Sequence, residues 1–194
     1  MRPCLTLPLI ALMLAAAPGL ADDFAAEDTA SRQAVAGLEA YAAYKMGDYD
    51  TARSLWEALA AKGNTTAMVN LANLFEQGQG TPADRAAALE WTRRAAEAGD
   101  TRAMVSLGVA HEGGASGLPR DLEAAERWFR KAAETGDADA HFNLGVLLLT
   151  NRGQGLETTP PDQRRAAARH LRAAAEAGHA EARPMLKIAE KGAD

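Results

Sequence analysis

The imidazole and thiol side chains of this 194-residue chain, the groups most often found as zinc ligands, are few. They are four histidines, His111, His141, His170 and His179, and one cysteine, Cys4. Glu112 follows His111, which supplies two residues of the His-Glu-x-x-His metalloprotease motif, but the second histidine is missing. Zinc is held by three or four converging ligands, and no spacing in this chain places a third beside any two histidines. The chain has no nucleophile elbow, no Walker-type loop and no dinucleotide fingerprint. The sequence therefore nominates no catalytic residue, no metal and no cofactor.

What positions the histidines is a repeated unit. Its closing glycines, Gly63, Gly99, Gly136 and Gly178, are 36, 37 and 42 residues apart. Three of them end the same phrase: Ala95-Ala96-Glu97-Ala98-Gly99, Ala132-Ala133-Glu134-Thr135-Gly136 and Ala174-Ala175-Glu176-Ala177-Gly178. Self-similarity at such a period marks a helical-hairpin solenoid. In that register His111 takes the place of Phe75, and His170 that of Trp91 and Trp128. His141 replaces Met68 and Met104, and His179 replaces Asp100 and Asp137. Each histidine is thus a substitution at a packing or capping position. His141 and His170 fall in one unit, where they are expected to face one another. The glycines of Gly78-Gln79-Gly80 and Gly113-Gly114 are repeat-turn glycines rather than a phosphate cradle.

Each unit reads as two helices, A and B, from apolar residues at helical spacing. The closing glycine sits where a helix end needs a left-handed residue. Asn64, Asp100 and Asp137 follow as N-caps of the next A helix, and Asp84 and Asp121 are placed to cap B helices. The expected A helices lie between 29 and 46 and near 65–76, 101–112 and 138–150. The expected B helices lie near 50–62, 84–98, 121–135 and 162–177. A last helix, about 180–191, repeats the A phase and would cap the stack. Pro184 falls inside it, where it would remove a helical hydrogen bond. Ala72, Gly108 and Gly145 stand at one mid-helix position. Glycine there costs about 1 kcal/mol against alanine, so its repeated use predicts a closely approaching helix. Trp91 and Trp128 recur at one phase and are expected to be buried against the next A helix.

The pattern Ala-x3-Leu-Gly, Gly-rich loop, Asp, Trp-aromatic-x-Lys-Ala-Ala-Glu-x-Gly resembles the Sel-one-like repeat, a subfamily of the tetratricopeptide superfamily. Repeats 65–100 and 101–137 match it best; 138–179 keeps Leu144-Gly145 and the closing phrase. The first copy, 29–64, is similar to an ordinary tetratricopeptide unit through Lys45-Met46-Gly47-Asp48-Tyr49-Asp50-Thr51-Ala52. The resemblance implies an all-α, right-handed α-solenoid of about four stacked hairpins plus the capping helix, 180–194. It also implies a scaffold or a periplasmic regulator rather than an enzyme. Cysteine-rich members of the family bind penicillin or weakly hydrolyse β-lactams, which makes a cell-wall or β-lactam-acting enzyme the alternative. Those members carry paired cysteines in each repeat, and after Cys4 this chain has none.

Residues 1–21 read as a secretory signal peptide. Arg2 is the positive end, Leu5 to Ala17 the apolar core, and Gly19 and Ala21 the small residues before a cut between Ala21 and Asp22. The apolar run is shorter than the roughly 20 residues that span a bilayer, and it contains Pro8. Segment 22–28 is acidic and is expected to be a mobile lead-in. An exported chain without disulfides fits a bacterial periplasm. Without Arg2 the chain carries 20 basic and 26 acidic side chains, a net charge of −6. That balance argues against nucleic-acid binding and against docking on anionic lipid. No later run is long and apolar enough to span a membrane.

What remains is binding. The A helices of tetratricopeptide arrays line a concave groove. Aligned on Ala72, Gly108 and Gly145, its expected positions are Val69, Asn73 and Glu76; Val105, Val109 and Glu112; and Phe142, Val146 and Leu149. An apolar row rimmed by charge suits an amphipathic helix or an extended peptide, with Phe142 as the expected anchor. The A–B loops lengthen along the chain, and the longest, Asn151 to Pro161, is a second place to look for a partner.

Overall fold

The computed structural model describes residues 18–115, 117–150 and 155–191. Among them are nine α-helices and no strand: α1 (Pro18–Lys45), α2 (Tyr49–Ala60), α3 (Thr65–Gln77), α4 (Arg85–Glu97), α5 (Thr101–Gly113), α6 (Leu122–Ala133), α7 (Ala138–Leu149), α8 (Pro161–Glu176) and α9 (Ala182–Glu190). Residues 1–17 of the expected leader lie outside the described residues. The rest of the leader and segment 22–28 form the first part of α1.

The caps follow the sequence pattern. The side chains of Asn64, Asp100 and Asp137 accept hydrogen bonds from Ala67 N, Ala103 N and Ala140 N, at 2.9, 3.0 and 2.8 Å. Asp84 accepts from Ala86 N and Ala87 N, and Asp121 from Glu123 N and Ala124 N. These bonds satisfy amides that a helix start leaves unpaired. The backbone amides holding the Asp121 carboxylate keep its pKa below the usual range. Gly63, Gly99, Gly136 and Gly178 have φ of 83°, 100°, 82° and 94°. Only glycine occupies that region without a steric cost.

The chain divides between Leu59 and Ala60 into two compact units. In the first, Tyr44 of α1 packs against Trp56 of α2, with ring centroids 5.5 Å apart. Trp56, Ala40, Ala43 and Ala52 are buried there. In the second unit each A helix packs on its own B helix, and each B helix on the next A helix, from α3 through to α9. Its core is a file of alanines and leucines, including Leu71, Leu107, Leu144 and Leu171.

Two expectations need correction. Trp91 and Trp128 are only half-buried, with Arg94 and Lys131 over their rings at 4.2 and 5.4 Å. The fully buried phase is one residue later, at Phe129 and Leu171. A helix turns about 100° per residue, so a ring one position away rotates toward the flank. The second correction is at α9. It begins at Ala182 rather than near 180, which puts Pro184 in the first turn. Amides there have no intrahelical partner to lose, so Pro184 removes no helical hydrogen bond.

Candidate functional site

The A-helix row has a local chemistry that differs between repeats. Val69, Asn73 and Glu76 of α3 meet Val105 and Val109 of α5 around a cavity of about 410 Å³. Arg85, Leu89 and Thr92 of α4 and Arg102 of α5 complete its walls. Val109 is 49% exposed, a large fraction for a valine on an inter-helix wall. The cavity is of a size that takes a small ligand or a side chain.

One wall of the cavity departs from the repeat register. Thr92, Phe129 and Leu171 each stand seven residues before a closing glycine. Phe129 packs on Gly108 so closely that a Cβ at Gly108 would fall inside its ring contact. Leu171 packs on Gly145, where an added Cβ would lie 2.7 Å from its Cγ. The close approach expected at the mid-helix glycines is therefore real, and its partner is the B-helix residue at this phase. In the first of the three repeats the pair is Ala72 and Thr92. Threonine fills less space, its hydroxyl is bonded back to Ala88 O at 2.9 Å, and both residues line the cavity.

The other expected positions are dispersed. Glu112 is half-buried and is not a wall of the cavity; burial pushes its carboxyl up, against the opposing pull of Arg120. Phe142 is half-buried and stacks on His179, with ring centroids 4.0 Å apart and planes 14° from parallel. That stack takes up one face of the ring, so Phe142 is not the free anchor the sequence suggested. Val146 is partly exposed on α7. Leu149 is fully buried and belongs to the core rather than to a groove. It is the last residue of α7, and its carbonyl accepts from the buried Thr159 hydroxyl at 2.5 Å, so the long connection folds back over it. Residues 151–154 of that connection lie outside the described residues.

Reading the A helices alone missed Arg85, Leu89 and Thr92. Their signal was in the sequence: Thr92 breaks a register that carries Phe129 and Leu171.

The histidines fall where the register put them. His141 Nδ1 and His170 Nδ1 are 3.1 Å apart, one donating to the other. His170 is held below the usual imidazole range, first by burial, then by His141, Arg169 and Arg130. His179 Nε2 lies 3.6 Å from Asp139 Oδ1. His179 caps no helix, because α9 starts only at Ala182. Among the described residues no three His, Cys, Asp or Glu side chains gather as metal ligands.

The Sel1 repeat family model matches residues 65–100, 101–137 and 138–179. The chain is similar to the crystal structure of a Sel1 repeat protein from Oxalobacter formigenes, with 27% identity and a TM-score of 0.65. That match covers 78% of this chain and 60% of the other. A second similar structure is c5321, a protective antigen of uropathogenic Escherichia coli with an SLR fold, at 26% identity and a TM-score of 0.57. It is covered to 33%, and this chain to 73%. The chain thus spans under two thirds of either structure. No curated relative matches it.

Proposed function

This chain belongs to the Sel1 repeat family, and from that premise we propose that it is an adaptor that binds a protein or peptide partner, without catalysis of its own, on the partly open faces of its A helices. The observation that carries this reading is the opening between α3, α4 and α5. It gathers five of the nine residues expected to face a partner, Val69, Asn73, Glu76, Val105 and Val109, and leaves Val109 half in solvent. Apolar walls with a few polar groups are the usual composition of a recognition site. We propose further that the protein is exported and works in the periplasm, on the strength of residues 1–21 and the absence of cysteine beyond Cys4. Among the described residues no helix is long and apolar enough to cross a membrane.

The test is affinity capture from a periplasmic extract with the parent protein and with Val109→Asp. A charge on that wall should weaken the specific partner by more than about 1 kcal/mol, as at a central interface residue. It should leave the helix content unchanged, because the site is exposed. A partner retained equally by both proteins would remove this face from the interface.

A further inference from the structure

We propose that the cavity between α3, α4 and α5 is a side-chain anchor pocket for a peptide that presents an aromatic ring next to an acidic residue. The proposal rests on the adaptor reading and gives its partner a chemistry.

The ring is argued from the next repeat. Moving from the α3–α4–α5 site to the equivalent site of α5, α6 and α7, Thr92 becomes Phe129 and Ala72 becomes Gly108. There Phe129 is fully buried on Gly108. The fold therefore shows, in its own repeat, what occupies this position between one A helix and its B helix. In the preceding repeat the corresponding pair, Ala72 and Thr92, lies in the wall of a cavity whose whole volume is about 410 Å³. A ring supplied by another chain would restore the missing packing, and aromatic anchors in fitted pockets dominate interface energetics.

The acid is argued from the charges that change with the ring. Arg85 and Arg102 stand where the next repeat has Leu122 and Asp139, and Leu89 stands where it has the buried Glu126. Loss of the filler thus coincides with two added arginines and two lost carboxylates. Arg85 is exposed and makes no ion pair among the described residues. Arg102 is held only loosely, 3.7 Å from Asp100, and its side chain is mostly exposed. Glu76 is the one acidic wall. Guanidinium groups at a pocket mouth favour a carboxylate, and their planar fork grips it well.

The experiment uses three blocked nonapeptides in a Gly/Ser frame, with Asp-Phe-Asp, Asp-Ala-Asp or Lys-Phe-Lys at the centre. Each is titrated into the isotope-labelled full chain and followed by backbone amide shifts. The Asp-Phe-Asp peptide should shift the amides around Ala72, Thr92 and Val105, and each of the others should bind about tenfold more weakly or worse. Ala72→Gly with Thr92→Phe copies the Gly108/Phe129 pair, so it should fold while filling the pocket. It should lose the Asp-Phe-Asp shifts and melt no lower than the parent. Arg85→Glu should weaken the same peptide with the pocket still open. Equal binding of Asp-Phe-Asp and Asp-Ala-Asp, or full binding to the filled variant, would overturn the anchor pocket. If shifts then ran along Val109 and Val146 for all peptides alike, the adaptor reading would survive without it. No shift on α3, α5 or α7 with any peptide would overturn the pocket and count against the adaptor reading as well.

Discussion

The His141–His170 pair shows how a single substitution acquires a physical consequence. Position 170 carries tryptophan in two other repeats, and here an imidazole takes its place with its Nδ1 against that of His141. A proton on His170 would be partly desolvated and would face His141 of α7, Arg169 of α8 and Arg130 of α6. The folded-state pKa is therefore depressed. A depressed pKa means that folding favours the neutral ring. Its stabilisation is whole above the unfolded value and is drawn down as pH falls through the folded one. The melting temperature should thus fall as the pH is lowered from about 7.5 to about 5.5, the range in which an ordinary imidazole begins to charge. His170→Gln should flatten that part of the profile. An unchanged slope in the variant would place the acid sensitivity elsewhere.

At the scale of the helices, the repeat is held by a glycine that admits a large side chain. Alanine at Gly108 would gain about 1 kcal/mol of helix propensity, yet its Cβ would press into the Phe129 ring. Overpacking typically costs about 1–3 kcal/mol, so Gly108→Ala should be destabilising on balance. Phe129→Ala should cost about 3–5 kcal/mol, and more than Trp128→Ala, because Phe129 is fully buried and Trp128 is not. In the double variant the clash disappears with the ring. Urea unfolding should then show a cost smaller than the sum of the two single changes. Additive costs would mean that the two residues do not meet.

At the scale of the whole molecule, the prediction concerns where the protein works. Residues 1–21 have the charge, length and small terminal residues of a cleaved leader. Cleavage after Ala21 would take away the first turn of α1 and leave a chain of net charge −6, unsuited to anionic partners such as nucleic acid. Sequencing the native N-terminus should return Asp22. Retention of Met1 or Arg2, or recovery from the cytosolic fraction, would overturn the export proposal and leave the adaptor reading to stand on the pocket alone.

Caps and repeat register were legible in the sequence because they are local. A carboxylate or amide oxygen before a helix bonds amides two or three residues away, and a positive φ needs glycine whatever surrounds it. Asn64, Asp84, Asp100, Asp121 and Asp137 all cap as their spacing foretold. The glycine at 108 and 145 even announced a close neighbour. Which neighbour, and which side of each helix is open, was decided by packing between helices. Periodicity alone could not separate Trp128 from Phe129, since adjacent positions on a helix differ by a rotation whose reference is the partner's surface. Nor could it show that Leu149 is core, that Phe142 is taken up by His179, or that Thr92 leaves room. Volume between elements is a property of three helices at once, and only the tertiary structure contains it.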